Sequence, residues 1–276
     1  MQPTHFPFAV RLLGFSDSEL DLFRDYFELE QEHGHAYFCL SEDSLQEPDI
    51  FIANADDLKS LAQLSAYGPS DARPALLLGN PLAKLPYACL PRPISWELVF
   101  TTLAGLIEKR ADVLSRLSIA SELFGIPNRR RSERLDIDLT DPADYIKMRR
   151  APTRGGVLIV DKNGEFANRL GEVMARFGIS VEWVDNEDAV IDVCGHRPVA
   201  VVMINTSTPE IDPYRLCVAV KQMNSMSQTV VIFLVGKPFV YDRERAREAG
   251  SDGLLDKPLA SHHVILALKK FLPISR

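Results

Sequence analysis

Short apolar, β-branched runs alternate with amphipathic stretches along most of the chain. The clearest run is VLIV at 157–160, which stops at Asp161. Four apolar residues in succession, bounded by polar chain, describe a strand buried on both faces. Residues 164–177 then place Phe166, Leu170, Val173, Met174 and Phe177 at helical spacing, and Gly178 follows where a helix end favours a left-handed residue. The pattern continues as a strand at 180–184, a helix near 187–194, VAVVMI at 199–204, a helix near 213–223 and VVIFLV at 230–235. A helix near 241–248, a short strand at Leu254–Leu255 and a last helix over 259–272 complete it. Uninterrupted apolar strands separated by helices describe a parallel sheet covered on both sides, because a half-exposed sheet would show strict alternation.

The first half repeats the plan more loosely. AVRLLGF (9–15), AYFCL (36–40), DIFIA (49–53), ALLL (75–78) and a short run near 87–90 predict strands, and Leu20 to Phe27 predict a helix. A last helix starts near Ser95. Its apolar positions Val99, Leu103, Leu106, Val113, Leu114, Leu117 and Leu123 continue to about residue 123, and only Gly105 interrupts them. The two halves therefore form an internal duplication of domain size. The boundaries expected are a first domain over 5–110, a helix extension and linker over 111–154, and a second domain over 155–276. The linker holds Pro127, Pro142, Pro152 and the run Arg129-Arg130-Arg131, with a short alternation at Leu135, Ile137 and Leu139 that predicts an edge strand.

Charge narrows the function classes. The chain carries 31 Lys and Arg against 38 Asp and Glu, a net charge of −7. The only basic stretch, within 126–154, lacks interleaved aromatic residues and reads as a solvated linker. Neither nucleic acid nor an anionic membrane is expected as a partner. No apolar run approaches the length of a membrane span, and the N-terminus shows no secretory signal, so a cytoplasmic protein is expected. Cys39, Cys89, Cys194 and Cys217 are scattered with no metal-ligand spacing. His33 and His35 lack a third ligand nearby, and His262-His263 is expected at the surface. No cofactor-binding loop is present, so neither cofactor nor metal is expected.

In an open parallel α/β sheet, chemistry sits at the carboxyl ends of the strands. Those ends in the second half are Asp161-Lys162, Asn205, Val235-Gly236 and Lys257-Pro258. Here VLIVDKN resembles the first strand of a bacterial response-regulator receiver domain, whose pattern ends in two adjacent acids. VVMINTSTPEIDPYRLC resembles the third strand, where the family has a phosphoacceptor aspartate four residues before a proline. IFLVG resembles the fourth strand, which normally ends in Thr or Ser, and GSDGLLDKP the fifth, which ends in Lys-Pro. The resemblance covers about 155–274. Over 5–110 a weaker likeness follows the same order: PDIFIANADD places Asn54 at the acceptor position, Gly79 takes the hydroxyl position, and Arg92 stands for the lysine. The fold implied is α/β, two flavodoxin-like (βα)5 receiver-type domains, each a five-stranded parallel sheet with helices on both faces.

Carried over residue by residue, the chemistry implied by the resemblance is largely lost. Asp161 matches the first acid, Lys162 replaces the second, Asn205 replaces the acceptor, Val235 replaces the hydroxyl residue, and Lys257 is kept. An amide is not a phosphate-accepting nucleophile. A single carboxylate beside Lys162 and Lys257 is also a poor anchor for Mg²⁺. Asp161 and Lys257 are expected to pair, and Asp56 and Asp57 to be solvated loop charges. The resemblance thus implies a non-enzymatic, phosphorylation-independent signalling adapter of a bacterial two-component pathway. Its partners would be proteins, such as a histidine kinase or a downstream regulator, and no output domain is expected beyond the last helix. The apolar positions Val113, Leu114, Leu117 and Leu123 are the expected interaction surface, for a homodimer or for the second domain. Two alternatives stay open. One is a phosphorelay-active regulator with an unusual acceptor, Thr206, Ser207 or Asp56. The other is a small-ligand receptor using the same crevice.

Overall fold

A computed structural model describes residues 6–31, 35–124, 155–208, 210–223, 229–272 and 274, without the side chains of 117–124 and 261. The chain divides into two compact units, one built on the first five strands and one on the last five, with Asp43–Glu47 grouped with the second.

The first unit runs β1 (Phe8–Leu13), α1 (Asp17–Glu30), β2 (Tyr37–Cys39), β3 (Ile50–Asn54), α2 (Leu58–Tyr67), β4 (Ala75–Leu78), β5 (Ala88–Leu90) and α3 (Trp96–Phe124). All pairings are parallel, in the order β2-β1-β3-β4-β5. The period of two along each strand sorts the core. Ile50, Ile52, Leu76 and Leu78 join Phe23 and Phe27 of α1 and Val99, Leu103 and Ile107 of α3. Phe51, Ala53 and Leu77 point the other way and meet Leu64 of α2. Two crossovers, 40–49 and 79–87, contain no helix, so three helices serve this sheet among the described residues. Helix α2 is not among the predicted elements, although Leu58, Leu61, Leu64 and Tyr67 recur along it. Its ends are clear nonetheless: Asp57 accepts from the backbone N–H groups of Lys59 and Ser60, and Gly68 takes a left-handed conformation, φ 60°.

The second unit runs β6 (Gly156–Val160), α4 (Glu165–Met174), a 3₁₀ turn (Ala175–Phe177), β7 (Val181–Val184), α5 (Glu187–His196), β8 (Val199–Asn205), α6 (Pro213–Met223), β9 (Val230–Val235), α7 (Arg243–Glu248), β10 (Gly253–Asp256) and α8 (Ser261–Leu268). Its parallel sheet has the order β10-β9-β8-β6-β7. Val157, Ile159, Met203, Ile232 and Leu255 pack with α4 and α8, while Leu158, Val160, Val202, Ile204 and Phe233 pack with α5, α6 and α7. Both faces are therefore covered, as the unbroken apolar strands require.

Helix α3 is continuous from Trp96 to Phe124. Val99, Leu103 and Ile107 lie in the first core, whereas Val113 is only half-buried and Leu114 is exposed. The side chains of Leu117 and Leu123, the linker with its arginine run, the edge strand expected at 135–139 and His33 lie outside the described residues. His263 is buried rather than at the surface, because α8 turns that side of the helix inward.

Candidate functional site

In each sheet the chain leaves the central strand pair in opposite directions. The crevice this opens lies at the carboxyl ends, the usual switch-point site. Register sets what meets there. Val160 pairs with Ile204, Asn205 with Leu234, and Asp256 with Val235, so Asp161, Asn205, Val235 and Lys257 converge.

The polar groups in the second unit form a linear chain of hydrogen bonds. Asn205 donates its amide to Asp161 Oδ1 at 2.8 Å, and its Oδ1 accepts from Lys257 Nζ at 2.7 Å. The Ser207 backbone N–H also reaches Asn205 Oδ1, 3.1 Å, which fixes the orientation of the amide. Asp161 Oδ1 takes a further bond from the Lys162 backbone N–H, 2.6 Å, and the Asp161 carbonyl accepts from Trp183 Nε1, 2.8 Å. The expected direct pairing of Asp161 with Lys257 is therefore corrected: Asn205 stands between the two charges, its dipole aligned with both. Burial depresses the Lys257 pKa, and the nearby Asp161 charge opposes that depression. Val235 is buried in the core at the end of its strand, and Lys162 is exposed. Thr206 spends its hydroxyl on the Leu234 carbonyl, 3.1 Å.

The first unit builds a different arrangement on the same plan. Asn54 Nδ2 donates to the Gly14 carbonyl, 2.9 Å, and its Oδ1 accepts from the Asp56 N–H, 3.1 Å. Arg92 binds Glu19 through Nη1 at 2.6 Å and faces Asp56 through Nε at 3.3 Å, with its guanidinium carbon 5.9 Å from the Phe15 ring centroid. Burial would raise the Glu19 pKa, but bonds from the Ser16 backbone, Arg92 and the Ser16 hydroxyl outweigh it and hold that carboxyl below its ordinary range. Asp56 is an exposed loop charge, as expected, and it also accepts from the Asn80 N–H and pairs with Arg92; Asp57 is half-buried and caps α2. Sequence reasoning missed Glu19, although Ser16-Asp17-Ser18-Glu19 is a capping-box pattern that could have drawn attention to it.

The buried thiols are inert: burial raises Cys194 to about 11 and Cys217 to about 12. An apolar cleft of about 190 Å³ lies apart from the polar sites, between α2 and the 82–87 loop, lined by residues such as Leu58, Leu61, Leu82 and Leu85.

Residues 157–269 match the family model of the response regulator receiver domain. The protein PilG of Pseudomonas aeruginosa is 25% identical over 118 residues, which is 42% of this chain and 87% of that protein. Among solved structures, a CheY-like receiver domain protein from Methanospirillum hungatei aligns at 15% identity over 42% of this chain and 91% of its own, with a TM-score of 0.38. The chemotaxis response regulator CheY4 of Vibrio cholerae aligns at 17% identity over 44% of this chain and all of its own, also at 0.38.

Proposed function

We propose that this chain, whose residues 157–269 match the response regulator receiver domain, is a signalling adapter that works without phosphorylation. The observation that carries this reading is Asn205, held at the acceptor position between Asp161 and Lys257. Each of its side-chain polar atoms is engaged, and none is nucleophilic. Metal binding is disfavoured by the same chain of bonds. The one carboxylate that remains has its Oδ1 engaged by Asn205 and the Lys162 N–H, and the cationic Lys257 lies next along the chain. Mg²⁺ needs hard oxygen ligands in near-octahedral array, normally with one or two carboxylates free to serve it. The first domain joins the reading through Asn54 and Arg92. Its partners are proteins of a bacterial two-component pathway, and its place is the cytoplasm.

A calorimetric titration of the whole chain with MgCl₂ tests the reading. No saturable heat is expected in the micromolar to low-millimolar range. A saturable Mg²⁺ isotherm at micromolar concentrations contradicts it and favours a phosphorelay regulator with an unusual acceptor.

A further inference from the structure

We propose that the first domain contains an oxyanion site whose tenant is the chain's own Asp56 carboxylate, and that a small tetrahedral oxyanion takes the place once that carboxylate is removed. The proposal goes beyond the missing acceptor discussed above and relies on that reading only for the location of the pocket. Asp56 follows β3 by two residues. The Asn54 side chain shapes this turn by accepting from the Asp56 N–H at 3.1 Å while its own amide is held by the Gly14 carbonyl. The turn aims the carboxylate at the end of β4, where Asp56 Oδ1 accepts from the Asn80 backbone N–H at 2.9 Å.

Gly79 makes the room. A Cβ built there would lie 2.4 Å from Asp56 Oδ2, closer than real contacts allow, and the residue adopts φ +124°, which L side chains disfavour. The position that the resemblance assigns to a hydroxyl side chain is thus filled from across the pocket by a carboxylate. Arg92 supplies the positive charge. Glu19 anchors its Nη1 from the far side at 2.6 Å, which leaves Nε toward Asp56. That Nε is buried and makes no hydrogen bond, since Asp56 Oδ2 meets it only as an ion pair at 3.3 Å. A planar carboxylate satisfies the Asn80 N–H and leaves the Arg92 Nε–H unused. A tetrahedral anion, with oxygens on more than one side, has the shape to serve both donors. In the native protein the tenant excludes free phosphate and ties the Asp56 turn to the Gly79–Asn80 turn.

The test is titration of inorganic phosphate against chloride at equal ionic strength, with the Asn80 backbone amide followed by NMR in the full chain. The expected result is a saturable Asn80 shift in the millimolar range for Asp56→Ala, none for the wild type, and none for Asp56→Ala combined with Arg92→Ala. A saturable shift in the wild type, or its absence in folded Asp56→Ala, overturns the proposal. If Asp56→Ala does not fold in chloride, phosphate is expected to restore a cooperative thermal melt to it and to Asp56→Ser; failure in both overturns the proposal too. Binding here is reversible and leaves the intact mass unchanged, so its outcome is separate from any covalent phosphorylation.

Discussion

Lys257 and Asn205 show how one amide sets the wiring of a pocket. With an amide at 205, the Lys257 ammonium finds a neutral acceptor rather than a carboxylate, and burial leaves it harder to protonate than an ordinary lysine. The consequence for stability has a definite sign. Between the depressed folded pKa and the ordinary value near 10.5, the unfolded chain binds more protons than the folded one, so this group adds stability as pH rises through that window. Denaturant melts of the wild type and Lys257→Met at neutral and alkaline pH check this. At neutral pH the variant is expected to lose about 1 kcal/mol, because Asn205 Oδ1 loses a charged donor but keeps the Ser207 N–H. The gap should widen as pH climbs toward 10, since only the wild type gains there. A gap that narrows on raising pH contradicts the depressed lysine. The identity of these residues was legible in the sequence; their connectivity was not. Asp161 and Lys257 read as a pair from charge alone, and only the register of β6, β8 and β10 shows that Asn205 comes between them.

Strands were the most legible elements, because a buried parallel strand must be apolar without interruption. VLIV, VAVVMI and VVIFLV all lie within observed strands. Helix α2 went unpredicted although Leu58, Leu61, Leu64 and Tyr67 recur along it; it is short, and of its leucines only Leu64 is fully buried, against Phe51 and Leu77. Helix α3 was legible along its length, because its apolar spacing does not stop where the first core stops. Val99, Leu103 and Ile107 account for that core, and Leu114 remains 40% exposed. Exposed apolar positions on a long helix are commonly buried by a partner. We therefore expect the chain to sediment as a dimer at tens of micromolar, and Leu114→Glu to shift it toward monomer with its thermal melt little changed. A monomeric wild type at that concentration removes the dimer.

At the scale of the molecule, the two units share a strand order and differ in how completely they keep the plan. The second has a helix after every strand, whereas the first replaces two crossovers with irregular chain. Their pockets diverge in parallel. One is a neutralised chain of Asp161, Asn205 and Lys257. The other is a network in which Arg92 holds Glu19 and Asp56. The sequence places an amide, Asn54 and Asn205, at the end of the third strand in both halves. It could not announce Asp56 as occupant of the first pocket, since that depends on a glycine lying across the crevice. Both arrangements lead to the same central claim, that neither domain accepts a phosphoryl group. Intact-mass measurement of the whole chain after incubation with acetyl phosphate and Mg²⁺ tests it most directly. The account predicts a single unmodified mass. A stoichiometric phosphoryl adduct, mapped to either domain, would contradict it.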